Sequence, residues 1–171
     1  FDLYNTQEKE VVNYDYVNGK TRGTISYLNK VKHGPFSIYG FTGNLVSEGN
    51  YVNNQVHGKV KYYYDSGQLQ YDYNYSNGEF HGEQLEYHEN GKVSQRDFYR
   101  YGTREKQESY YENGTISTEK SLLNGQLHGA FKLYDVDGML QIVRYYEKGN
   151  LIGYSYEDKN GHLLQQIIFL H

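Results

Sequence analysis

The chain has no cysteine, no tryptophan, one proline (Pro35) and one methionine among 171 residues. Without cysteine there is no disulfide framework and no thiolate nucleophile or thiolate metal ligand. No apolar run is long enough for a membrane-spanning helix. Neither charge sign dominates: 17 basic and 21 acidic residues are well mixed and give a net charge of −4. That balance carries no nucleic-acid footprint and no polybasic lipid anchor. Hydrophobic residues make up only 37% of the chain, too few for a deep core, yet aromatic residues reach 17%, with 22 Tyr and 7 Phe. Tyrosine suits a thin structure, because its ring can be covered while its hydroxyl stays wet.

What the chain has instead is a repeat. Gly34, Gly58, Gly82, Lys106, Gly129 and Gly153 follow one another at intervals of 24, 24, 24, 23 and 24 residues. His33, His57, His81 and His128 precede four of them, and Tyr39, Tyr63, Tyr87, Tyr111 and Tyr134 follow. A second glycine series runs Gly43, Gly67, Gly91, Gly114, Gly138 and Gly161, each with an aliphatic residue two positions on. Another aromatic, Tyr51, Tyr75, Tyr99 and Tyr146, closes the repeat, with Leu122 in the odd copy. A fixed period of this length means stacked supersecondary units that bury their apolar faces against neighbours.

The glycine content and short period exclude a helical pair, and Tyr, Val, Ile and Phe around the glycines favour strands. Asp65-Ser66-Gly67, Glu89-Asn90-Gly91, Glu112-Asn113-Gly114 and Val136-Asp137-Gly138 supply the positive φ of hairpin turns. Gly58, Val60, Tyr62 and Tyr64 alternate onto one face. The expected fold is all-β, built of tandem β-hairpins stacked along the chain. Glycine inside a strand weakens it, so the glycine of the His-Gly pair is expected to seat an aromatic ring from the neighbouring strand, with Lys106 as a local defect.

The pattern Tyr-x-Asn-Gly-x-x-His-Gly-x-x-x-x-Tyr-x-x-x-Gly-x-Leu, centred on Tyr75 to Gly91, resembles the MORN repeat in its bacterial variant (type 2) form, over about residues 16–164. The resemblance implies an elongated, twisted, single-layer antiparallel sheet with a groove, used for protein or membrane association, and no enzyme activity. One repeat domain, 1–171, is expected, with a short capping repeat at 1–33, regular repeats at 34–162 and a cap or edge strand at 163–171. Gly23, half a period before Gly34, marks the shortened copy. The apolar tail Leu163 to His171 invites pairing with a second copy. Phe1, not Met, stands first, which suggests a removed signal peptide, tag or upstream domain; the absence of cysteine leaves the compartment open, with an exported or surface-located bacterial protein favoured.

Three constellations bear on chemistry. The His of successive His-Gly pairs would lie about 9.5 Å apart if each repeat supplies two strands, too far to share an ion whose ligands sit at about 2.1 Å. They are expected to be structural, donating to a carbonyl or a tyrosine hydroxyl, with no metal and no cofactor. Glu48, Asp72 and Glu119 recur at one repeat position and are expected to be solvated or turn-facing rather than a catalytic constellation. Arg96, Arg100, Arg104 and Lys106 cluster where the repeat loosens, as a degenerate copy or as a basic patch for an acidic partner.

The ladder Tyr39, Tyr63, Tyr87, Tyr111 and Tyr134 is expected to be core. Tyr62, Tyr64, Tyr71, Tyr73, Tyr110 and Tyr145 lie outside it and are the candidates for an exposed binding groove. The reading is a non-enzymatic protein-interaction scaffold. A carbohydrate or cell-wall module is the alternative, since the tyrosine runs are somewhat similar to choline-binding repeats, though those depend on Trp. An antitoxin-like partner of a bacterial toxin is a further alternative, and membrane binding ranks last because of the charge.

Overall fold

The computed structural model describes residues 7–158 and 160–169. Every regular element among them is a strand: β1 (Lys9–Asp15), β2 (Thr21–Leu28), β3 (Val31–Tyr39), β4 (Leu45–Val52), β5 (Gln55–Val56), β6 (Gly58–Tyr63), β7 (Leu69–Ser76), β8 (Glu79–Phe80), β9 (Gly82–Tyr87), β10 (Val93–Arg100), β11 (Thr103–Tyr110), β12 (Ile116–Leu123), β13 (Gln126–Tyr134), β14 (Leu140–Glu147), β15 (Asn150–Glu157) and β16 (Leu163–Ile168). The chain divides into two units, Phe1–Glu79 and Phe80–His171. Within each, strands hydrogen-bond in sequence order, β1-β2-β3-β4-β6-β7 in the first and β9 through β16 in the second. All these pairings are antiparallel, so the architecture is the tandem hairpin sheet that the repeat predicts.

Two turn types alternate. The Asp65-Ser66-Gly67 type is a three-residue loop: Tyr64 N–H donates to the Gln68 carbonyl at 2.9 Å, and Gly67, at φ +84°, to the Tyr64 carbonyl at 2.8 Å. The other type is tighter. At Asn77-Gly78 both central residues have positive φ, 50° and 83°, as a two-residue hairpin matched to strand twist requires. Asn29-Lys30, Asn53-Asn54, Tyr101-Gly102, Asn124-Gly125 and Lys148-Gly149 share this geometry. Gly19 closes a loop of the first type through Gly19 N–H to the Tyr16 carbonyl, and it lies 24 residues before Gly43. The repeat register therefore runs back through Gly19, and Gly23 sits inside β2 instead.

The His-Gly pairs occupy strand irregularities. Opposite the single residue Ser26 of β2, β3 fits in His33, Gly34 and Pro35; opposite Ser121 of β12, β13 fits in His128, Gly129 and Ala130. Gly34, Gly58, Gly82 and Gly129 all have positive φ there. The expected aromatic seat is absent at Gly58 and Gly82, where a Cβ would meet nothing within 4 Å; backbone conformation, not space, calls for glycine. The ring-over-glycine contact exists elsewhere. At Gly49 a Cβ would lie 2.9 Å from the Phe36 ring and 2.8 Å from Val60 Cγ2.

Copies without the pair bulge by one residue only, at Glu105 in β11 and at Ile152 in β15. The missing residue moves the later positions of β11 by one. Gln107, not Glu108, lies opposite Asp97, and Tyr110 falls on the same face as Glu108.

Little is buried deeply. Phe36, Val60 and Val143 are the buried hydrophobic residues among those described, at 7, 1 and 5% exposure. In the N-terminal unit Phe36 faces Gly49, and Val60 faces Tyr73, so the apolar row runs down one face. The opposite face carries Thr24, Ser37, Glu48, Lys61 and Asp72 in register. In the C-terminal unit the comparable central row is polar over Gln84, Asp97, Gln107 and Lys120 before it returns to Phe131.

Candidate functional site

Of the six tyrosines proposed for a groove, three come together. Tyr62 on β6 pairs across to Tyr71 on β7, and Val60 to Tyr73, which puts Tyr62, Tyr71 and Tyr73 on the apolar face of the N-terminal unit. Tyr71 and Tyr73 stack at 5.1 Å with planes 26° apart, and Tyr62 meets them edge-on at 6.1 and 6.0 Å. Each ring is half-buried. The arrangement follows from strand period, since Tyr71 and Tyr73 are alternate residues and Tyr62 is opposite the first. Tyr75 continues the face. Burial first, and then the Tyr62 hydroxyl, pushes its phenol up to about 12.

The other three are placed differently. Tyr64 opens a three-residue loop. At the same position, Tyr16 and Tyr111 donate their hydroxyls to the carbonyls of Tyr39 and Tyr134, at 3.1 and 2.8 Å, and His88 Nε2 lies 3.0 Å from the Tyr110 carbonyl. Tyr111 therefore belongs to this loop series and Tyr110 takes its place in the ladder, a consequence of the one-residue bulge at Glu105. The Tyr110 hydroxyl donates to Glu108 at 2.6 Å beneath the Arg96 guanidinium, and the Tyr145 hydroxyl lies 3.2 Å from Ser155 Oγ.

The recurring carboxylates are buried or half-buried, and each has a partner. The Tyr63 hydroxyl donates to Glu48 at 2.5 Å and the Tyr134 hydroxyl to Glu119 at 3.1 Å, while Asp72, 7% exposed, accepts from Lys59 at 2.8 Å. Ladder tyrosines thus cap carboxylates on the polar face. Burial, with the carboxylate second, pushes the phenols of Tyr63, Tyr110 and Tyr134 up to about 12.

The cations near Arg96 form no open basic patch. Arg96 pairs with Glu83 at 3.0 Å, Arg100 with Glu105 at 2.8 Å, Arg104 with Asp97 at 3.6 Å and Lys106 with Glu108 at 2.6 Å. Burial alone would push the Glu108 carboxyl up. Bonds from Lys106 and Tyr110 and the charge of Arg96 outweigh it and hold the group below the usual carboxylate value.

Three of the four His-Gly histidines accept a hydrogen bond at Nδ1, while His33 Nδ1 is buried without a partner among the described residues. Nδ1 of His57, His81 and His128 receives the backbone N–H of Asn77, Tyr101 and Lys148 at 3.4, 3.3 and 3.5 Å. Each donor is the first central residue of the tight turn twenty residues on, so the His-Gly pair ties one hairpin to the next within its unit. Among the described residues no three His, Asp or Glu side chains gather as metal ligands would.

Comparison with known families accounts for the repeat. The family model described as MORN repeat variant matches residues 32–53, 56–77 and 80–101. Residues 32–101 thus hold three tandem matches to the variant MORN repeat. No curated protein matches the chain. The variant MORN repeats begin just before His33 and contain the Tyr62, Tyr71 and Tyr73 cluster in their second copy. MORN repeats are generally non-catalytic binding modules, and the match suggests a repeat-based binding module in this chain.

Proposed function

We propose that the chain is a non-enzymatic interaction module that holds a peptide segment of a protein partner against the cluster of Tyr62, Tyr71 and Tyr73. The observation that carries this reading is three half-buried rings packed against one another on the apolar face of the N-terminal unit. Rings already fixed by packing lose little freedom when a partner covers them, and tyrosine adds a hydrogen-bonding tip to a large apolar contact. An extended segment or one face of a helix fits such a surface. Net charge of −4 argues against nucleic acid and anionic lipid as the partner class.

A second reading has one observation in its favour. The Tyr71–Tyr73 stack offers a ring platform of the kind on which sugar rings lie.

The test is selection of a displayed random-peptide library on the full chain, in parallel with the double variant Tyr71→Ser, Tyr73→Ser. Enriched sequences that vanish on the variant support the peptide reading, and sequences retained equally by both sink it. A glycan array run on the same pair of proteins decides the carbohydrate alternative by the same loss.

A further inference from the structure

Tyr101 departs from every equivalent residue. The first central position of the six tight turns holds Asn29, Asn53, Asn77, Tyr101, Asn124 and Lys148, all at positive φ. Asn tolerates that conformation, whereas a bulky aromatic adopts it rarely, at φ +44° here. The tie between hairpins does not need the ring. His57 and His128 make the same Nδ1 contact to Asn77 and Lys148. A strained residue that local structure does not require is a pointer to function.

The ring is 69% exposed and packs against His81 at 4.6 Å between centroids. Beside it lies a cavity of about 380 Å³ whose lining includes His81, Gly82, Phe98, Arg100, Tyr101 and Glu105. Gly82 leaves that lining without a side chain. Phe98 is a second departure in the same repeat, since the two preceding repeats carry Asn50 and Asn74 there. Two positions that are polar in the preceding copies have become aromatic where they meet one cavity.

We infer that this cavity is a second peptide-docking slot, separate from the Tyr62 cluster, which seats one uncharged apolar side chain of an extended partner segment. Charge decides the chemistry. Arg100 and Glu105 pair at 2.8 Å, so the rim of the slot carries no net charge that would draw an acidic or a basic guest in preference to an uncharged one. Guanidinium N–H groups not used by Glu105 can donate to a peptide carbonyl, and Glu105 can accept a peptide N–H, which matches an extended backbone laid beside an apolar slot.

The experiment is a nuclear magnetic resonance titration of the isotope-labelled full chain with short glycine–serine peptides bearing one guest residue: Leu, Phe, Pro, Glu or Lys. The expected result is saturable shifts of the Gly82, Tyr101 and Gly102 amides with an apolar guest and not with Glu or Lys. Tyr101→Asn should abolish them while raising the thermal midpoint, because Asn relieves the backbone strain. Gly82→Asn, which keeps a tolerated residue at positive φ but fills the slot, should abolish them too. Tyr71→Ser with Tyr73→Ser should leave them intact, which separates this site from the first. Absence of saturable shifts with any guest, equal response to charged guests, or shifts that survive Tyr101→Asn would overturn the assignment.

Discussion

Glycine does two different jobs in this chain, and substitution separates them. Gly58 adopts φ +78° in open space, so Asn should be tolerated there while Ala or Val meets the left-handed penalty of about 1–2 kcal/mol. Gly49 has no such φ but is crowded by Phe36 and Val60. Ala and Asn should both destabilise at that position, by about 1–3 kcal/mol as overpacking usually does. Urea denaturation of Gly58→Asn, Gly58→Val, Gly49→Ala and Gly49→Asn reads the difference directly. Gly82→Val should likewise cost more than an ordinary surface change, but through its φ of +80° rather than through a displaced ring.

The phenols make a second prediction at this scale. Tyr63, Tyr75, Tyr110 and Tyr134 are held neutral up to about 12 in the folded chain, against about 10 once unfolded. Their contribution to stability is complete below pH 10. Between pH 10 and 12 the unfolded chain ionises first, so stability should fall as pH rises through that window. Ultraviolet titration should show a late-ionising subset of the 22 tyrosines, and Tyr63→Phe should remove one member of it.

At the scale of the element, the unit of construction is the hairpin tied to its successor. The His81 Nδ1 contact to the Tyr101 amide links the strand irregularity of one hairpin to the tight turn twenty residues on. His81→Ala should cost about 0.5–1.5 kcal/mol, the usual net worth of such a bond, and should speed hydrogen exchange at the Tyr101 amide. The Lys148 amide, bound by His128, serves as the internal control and should not change. Where Glu105-Lys106 replaces His-Gly, the hairpin loses one bulge residue and every later side chain of that strand changes face. That slip moves Tyr110 onto Glu108 and leaves Tyr111 to the loop.

For the whole molecule, the two units differ in what they offer. The N-terminal one presents a largely apolar and aromatic face with Ser47 buried in it, and the C-terminal one interrupts its central row with buried Gln84, Asp97 and Gln107. The C-terminal unit also carries β16, where Leu163, Leu164 and Ile168 are 59, 67 and 53% exposed and β15 is the partner among the described residues. Leu170 and His171 of the apolar tail lie outside the described residues. Strand addition between copies at β16 is the expected route to self-association. Light scattering should show any dimer reduced by Leu164→Lys with Ile168→Lys, and an unchanged mass for a dimeric wild type would place its interface elsewhere.

The period, strand character, turn residues and MORN pattern were legible in the sequence, because glycine, asparagine and alternating tyrosine encode local backbone geometry wherever they stand. The meeting of Tyr62, Tyr71 and Tyr73 was legible only as three spare aromatics, since their contact depends on how β6 and β7 register. Bulge size was not legible at all. Whether one or two extra residues fit at the start of a strand is settled by pairing with the strand before it, and that choice fixes every facing direction downstream. For the same reason a 24-residue count assigned Tyr111 to the ladder where the sheet places Tyr110. The sequence alone determined a tandem hairpin sheet rich in tyrosine; tertiary pairing decided which tyrosines cap carboxylates, which stack together, and which one stands strained and exposed at a turn.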